Sequence, residues 1–244
     1  MRDSEIVRLI ESKPWEFMRT WLRERGVRLW EKQEEIVREV LFGHPKVVVA
    51  AGHGVGKTFA AAVACILFLL LHHRARVITT APTWNQVRNL LWAEIKALWR
   101  TLGLPLQYLQ ETSIKIPEVD RLALGVSTDR PERLQGFHAE NLLWVVDEAS
   151  VLDEGFYEVI EASLTSRNSR ILLIGNPIRG KGYFERAFHS PLWKSFRISC
   201  YDSPNVVAGE IIIPGLVTRE WIEERKSTWG EDSNLFRTRV LALF

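Results

Sequence analysis

Short, mostly apolar runs rich in β-branched residues recur along the chain, at residues 47–50, 77–80, 122–126, 142–146 and 171–174. Between them lie longer segments, 57–71, 84–99 and 154–163, whose composition and spacing suit helices. A strand that is apolar on every residue is covered on both faces. The alternation therefore predicts an α/β fold, a mainly parallel sheet with helices on either side. Residues 2–42 read as helical, with Phe17, Trp21 and Leu22, then Ile36, Val37 and Val40, at helical spacing. After residue 200 the pattern changes to Pro and Gly loops, SPNVVAGEIIIPGLV, and a polar helix for which Thr218 is the N-cap ahead of Trp221 and Ile222. One domain over residues 1–244 is predicted, in three segments: 1–43, a core over 44–200, and a small C-terminal region over 201–244.

A chain of 244 residues with 46% hydrophobic content supplies a substantial core. The formal net charge is +2, so a nucleic-acid partner would have to be met by local basic patches. Arg74, Arg76, Arg88, Lys96 and Arg100, around the second strand and its helix, are the visible examples. Cys65 and Cys200, the two cysteines, lie far apart without metal-type spacing and read as buried apolar residues of a reducing compartment. The charged start precedes no signal-like apolar stretch, and the longest apolar run, 59–71, is too short to cross a bilayer. A soluble cytoplasmic protein with no membrane partner is expected. The ten tryptophans read as core and interface anchors.

The chemistry concentrates at the ends of three of the apolar runs. The first leads into AGHGVGKT, Ala51, Gly52, His53, Gly54, Val55, Gly56, Lys57 and Thr58, which fits the Walker A phosphate loop with Ala in place of its first Gly. Glycines let the backbone N–H groups approach a phosphate, and a helix beginning at Lys57 points its positive end at it. Lys57 reaches the β- and γ-phosphates and Thr58 gives an oxygen to Mg²⁺. LLWVVDEAS ends a second run on Asp147 and Glu148, a carboxylate pair that is costly there without a cation and a water to engage. Asp147 is expected in the Mg²⁺ shell and Glu148 behind the attacking water, as in the additional-strand (ASCE, RecA-like) class of P-loop NTPases. ILLIGNPIRGKG places Asn176 after a third run, where it can sense the γ-phosphate or the water. Arg179 and Lys181 follow it, as phosphate or DNA contacts or as plain turn residues.

Together GHGVGKT, TAPTWNQV, RPERLQGFHAENLLWVVDEAS and LLIGNPIRGKGYF resemble the large terminase subunit of tailed bacteriophages, in its N-terminal packaging ATPase, over nearly the whole chain. The resemblance implies a Mg²⁺-dependent ATPase that translocates double-stranded DNA into a procapsid. It implies as partners a portal ring, a small terminase subunit and further copies of itself, a pentameric ring in the family picture, at the portal vertex in the host cytoplasm. It also implies that Arg133, or Arg130, completes a neighbouring subunit's site as an arginine finger, and that Trp30 and Gln33 in RLWEKQEEIV belong to an adenine-recognition segment. The family's C-terminal nuclease is not expected here, because Ile178 to Phe244 hold no cluster of acids on strands. The apolar ending VLALF is expected of a domain that continues into another. Many family members carry Arg where His53 stands, so a cis-acting arginine is not expected from that position. A superfamily 2 type helicase and a non-catalytic nucleotide switch are the competing readings. The first needs a second RecA-like domain in the chain, and the second has no use for Glu148.

Overall fold

The computed structural model describes residues 13–127, 136–178 and 180–244. Its centre is a seven-stranded sheet in the order β3-β4-β2-β5-β6-β1-β7. The strands are β1 (Lys46–Ala51), β2 (Ala75–Thr80), β3 (Ser113–Ile116), β4 (Arg121–Gly125), β5 (Asn141–Val146), β6 (Asn168–Gly175) and β7 (Lys194–Ile198). All neighbours pair in parallel except β3, which runs antiparallel to β4. The expected mainly parallel α/β sheet is borne out, and β6 stands between β1 and β5 as the additional strand of its class.

Helices cover both faces. Val47, Val49, Leu143, Val145, Leu172 and Ile174 point into one core. That core is shared with helices α1 (Pro14–Glu24), α2 (Glu31–Phe42), α3 (Lys57–Leu71) and α4 (Trp92–Thr101). Their neighbours Val48, Ala50, Leu142, Trp144, Ile171 and Leu173 point into the other, against α5 (Glu154–Ser163) and α6 (Tyr183–His189). This is the period-two division of a doubly covered sheet, and it explains why the central runs are apolar on alternate and intervening positions alike. Helix α3 is buried from Ala60 to Leu69 because it lies between sheet and helices. Among the described residues no helix is long and apolar enough to cross a membrane.

Three features depart from the expected elements. β3 and β7 were not legible as strands: both are short, and Lys194, Ser195 and Arg197 of β7 face solvent, so neither makes an apolar run. The helix expected over 84–99 is interrupted. It is α-helical at Trp84–Gln86, widens into a π-turn at Val87–Leu91, and resumes as α4. The π-turn rotates Trp92 inward, where its indole N–H donates to Thr79 Oγ1 at 2.8 Å beside Gly125. The polar C-terminal helix is two, α8 (Arg219–Trp229) and α9 (Asn234–Arg239), parted at Gly230 with φ of 80°; a short α7 (Pro204–Ala208) precedes them. Thr218 caps α8 as expected, accepting the Trp221 N–H. The apolar ending is packed: Val240 and Ala242 are buried, and Phe244 lies against Phe184 and Phe188. Cys65 and Cys200 are both buried thiols.

A Cβ at Gly125 would stand 2.5 Å from the Trp92 indole nitrogen. Gly125→Ala is therefore expected to cost about 1–3 kcal/mol of stability through overpacking. Thermal unfolding should show a midpoint lowered by several degrees, and an unchanged midpoint would mean the π-turn yields freely.

Candidate active site

β1, β6 and β5 lie side by side, so the segments leaving their carboxyl ends converge. β1 delivers Ala51 and the loop to Gly56, β5 delivers Asp147 and Glu148, and β6 delivers Asn176. Ala51, where Walker A has glycine, closes β1 in extended conformation, and its methyl is accommodated. Gly54 and Gly56 need their glycines, with φ of 66° and 78°.

The loop is held by its carbonyls. Asn176 Nδ2 donates to the Ala51 carbonyl at 2.6 Å, the Cys200 thiol to that of His53 at 3.2 Å, and the Val217 N–H to that of Gly54 at 2.8 Å. From α2 and its N-cap, the Trp30 indole donates to the Val55 carbonyl at 3.3 Å and Gln33 Nε2 to that of Gly56 at 3.0 Å. The Gly52 and His53 N–H groups are bound to the carbonyls of Ile198 and Arg239, both at 2.8 Å. The N–H groups of Gly54, Val55, Gly56, Lys57 and Thr58 make no hydrogen bond among the described residues. With the carbonyls drawn outward, these donors at the head of α3 form an anion-binding nest. A cavity of about 480 Å³ opens before it, lined by Gln33, Lys57, Thr58, Ile213 and Leu216 among others.

Asp147, 2% exposed, accepts from Thr58 Oγ1 at 3.4 Å and from the Glu148 N–H at 2.8 Å. Burial, reinforced by the Glu148 carboxylate and opposed by Lys57, pushes its carboxyl up to about 6. Lys57 Nζ lies 3.6 Å from Glu148 Oε1. A buried carboxylate raised in pKa, a hydroxyl against it and a nest of N–H donors is a donor set that fits Mg²⁺ carried in with a phosphate. Among the described residues no cluster of three or more His, Cys, Asp or Glu could hold a metal. His53 is pushed down to about 4 by burial, with Lys57 and Arg239 adding to the effect, so at neutral pH it is uncharged. Its Nε2 is buried without a partner among the described residues.

The structure thus brings together Gln33, the residues from Ala51 to Thr58, Asp147, Glu148 and Asn176. Arg130, Arg133 and Arg179 lie outside the described residues. Lys181 is exposed, its N–H on Glu185. Arg74 and Arg76 pair with Asp120, and Arg88 with Glu111. Gln33 spends its amide within the protein, Nε2 on the loop and Oε1 on the Trp30 N–H, so the helix reads first as a brace for the phosphate loop. Sequence reasoning missed Cys200, Val217 and the Arg239 carbonyl, which carry no motif; they act through position alone.

A family model described as an AAA domain matches residues 28–178, more than half of the chain. The chain belongs to that family. A curated relative, "Probable terminase, large subunit" of Enterobacteria phage P7, is 32% identical over 170 residues, covering 66% of this chain and 34% of the relative. The chain therefore spans about a third of that relative's length. Among solved structures, the large terminase ATPase domain of Thermus phage P74-26 superposes with a TM-score of 0.69 at 22% identity, covering 91% of this chain and 96% of that one. A large terminase from a thermophilic bacteriophage, solved with ADP, gives a TM-score of 0.68 at 11% identity over 88% of this chain and 53% of its own. The expected P-loop NTPase fold is borne out, and the similar proteins found are phage large terminases, the family whose motifs the chain resembles.

Because Asp147 has a folded pKa above its unfolded one, folding takes up a proton between about pH 4 and 6. Stability of the protein without metal or nucleotide should fall as pH rises through that window and level off above it. Asp147→Asn removes this cost, so in EDTA at pH 8 the variant is expected to be more stable by on the order of 2–3 kcal/mol. The gain in unfolding midpoint should vanish near pH 4, and a gain independent of pH would show that ionisation of Asp147 is not its source.

Proposed function

We propose that this domain binds ATP with Mg²⁺ at the loop of residues 51–58 and hydrolyses it to drive double-stranded DNA into a procapsid. The observation that carries this reading is the meeting of five N–H donors, without partners among the described residues, with Lys57, Thr58, Asp147 and Glu148 at one end of the sheet. The phosphates lie on the nest, and the β- and γ-phosphates draw Lys57 away from Glu148. That exchange frees the Glu148 carboxylate to accept a proton from the attacking water as it adds to the γ-phosphorus and the bond to the bridging oxygen breaks, leaving ADP and phosphate. Thr58 and Asp147 hold the Mg²⁺, which neutralises charge developing on the phosphates when bound. Asn176, fixed to the base of the loop through Ala51, passes loss of the γ-phosphate from β1 to β6. The base is received beside Gln33, Ile213 and Leu216, in the cavity before the loop.

An arginine from a neighbouring copy, Arg133 or Arg130, completes the site, so the working form is a ring, a pentamer docked on a portal. The small terminase subunit and DNA are its further partners, and DNA contacts are sequence-blind and salt-dependent.

The test is steady-state ATP hydrolysis against protein concentration for the wild type, Glu148→Gln, Arg133→Ala and a mixture of the two variants. Glu148→Gln is expected to lower turnover about 10²–10⁴-fold, the worth of a general base. Specific activity should rise with concentration and mixing should restore part of it, each variant supplying the other's missing half. Turnover that is independent of concentration and survives Arg133→Ala would end the shared-site reading. Wild-type turnover in Glu148→Gln would end its assignment as the base.

A further inference from the structure

Glu148 occupies the left-handed region, φ 50° and ψ 39°, where residues with a side chain are rare. Such a conformation persists where surrounding contacts over-determine it, and it decides the direction in which the carboxylate leaves the backbone. The contacts converge on the tight turn just after it, Ala149–Val151. From one side, Gly175 at the end of β6 presses on the turn so closely that a Cβ there would lie 3.1 Å from the Ala149 nitrogen. From within, the Val151 N–H closes on the Glu148 carbonyl at 3.1 Å. From the other side comes Tyr157 of α5, 1% exposed, whose hydroxyl donates to the Ala149 carbonyl.

Tyr157 is itself fixed. Its ring stacks in parallel on Tyr183, centroids 4.0 Å apart and planes within 7°, and the Tyr183 hydroxyl donates to Glu161 Oε1 at 2.7 Å. Tyr183 opens α6, directly beyond the GNPIRGKG segment that contains Asn176. The stack therefore ties the turn after Glu148 to the end of the segment that leaves β6. Burial, with the Glu154 carboxylate, pushes the Tyr157 phenol far above its ordinary range, so the hydroxyl remains a donor at every working pH.

We propose that Tyr157 is a positioning residue for hydrolysis: by holding the Ala149 carbonyl it fixes the turn that aims the Glu148 carboxylate at the attacking water. The inference rests on the assignment of Glu148 as the base. Tyr157 touches neither nucleotide nor water and acts through the backbone of the turn.

The test is Tyr157→Phe, which keeps the stacked ring and deletes the hydroxyl, measured in the wild-type and Glu148→Gln backgrounds by ATP turnover and nucleotide binding. Expected is a fall in kcat of about ten- to a hundredfold, the scale of a small misplacement of a reacting group, with KM for ATP changed less than about twofold. In Glu148→Gln the same substitution should cost nothing further, because there is no base left to aim. Full additivity of the two losses, or a lowered unfolding midpoint with kcat intact, would overturn the proposal. Wild-type turnover in Glu148→Gln alone would instead overturn the assignment beneath it. Should Tyr157→Phe not fold, Gly175→Ala displaces the same turn from the opposite side. It is expected to show the same kcat-selective loss and the same non-additivity, and equal kcat to wild type would refute the role of the turn.

Discussion

Everything at this site depends on where five carbonyl groups point. A phosphate loop binds an anion only if its N–H groups face one way, and a short loop left to itself would turn some of its carbonyls toward the same space. Here the carbonyls of Ala51, His53, Gly54, Val55 and Gly56 are each taken by a donor from another part of the chain: Asn176, Cys200, Val217, Trp30 and Gln33. Those donors come from β6's end, the segment after β7, the C-terminal region and α2. The loop's shape is thus set by contacts from both ends of the sequence, and the nest exists before any ligand arrives.

The same preorganisation has an electrostatic cost. Asp147 is buried with its carboxyl raised, Lys57 and Glu148 pair at 3.6 Å with little exposure, and Glu148 stands in a strained backbone conformation. Each is unfavourable or idle in the free protein, and in the proposed mechanism each is answered by a nucleotide with its cation: charge for Asp147, phosphate for Lys57, a water for Glu148. Groups arranged this way gain more from the ligand than groups already satisfied by solvent, which is the usual condition for a site where charge develops during reaction. Residues 201–244 belong to the same arrangement, since the Arg239 carbonyl, the Val217 N–H and the buried Val240 hold the loop from outside. Movement of that region would be felt at the loop directly.

Much of this was legible in the sequence because it rests on local rules. Five of the seven strands stood out as mostly apolar, β-branched runs, and α3 and α5 have the predicted limits, because burial on both faces or along a helix leaves a pattern that needs no knowledge of partners. Lys57, Thr58, Asp147, Glu148 and Asn176 were readable for the same reason, each standing at a fixed distance from the end of such a run. β3 and β7 were not, since an edge strand half in solvent has mixed composition, and neither was the π-turn before Trp92, which answers a packing demand from Thr79 and Gly125 across the sheet. Gln33 was expected to read a base, and the structure shows its amide braced on Gly56 and Trp30.

The sequence by itself therefore determined the class of fold, the three segments that carry chemistry and the kinds of group each brings, because strand burial, helix starts and loop glycines are encoded within a few neighbouring residues. Only the tertiary structure decided which partners hold the loop open, that Asp147 is buried deeply enough to be raised, that His53 is neutral, and that Tyr157 reaches the turn beyond Glu148. Those depend on atoms brought within 3–4 Å from distant parts of the chain, and no local pattern records such distances.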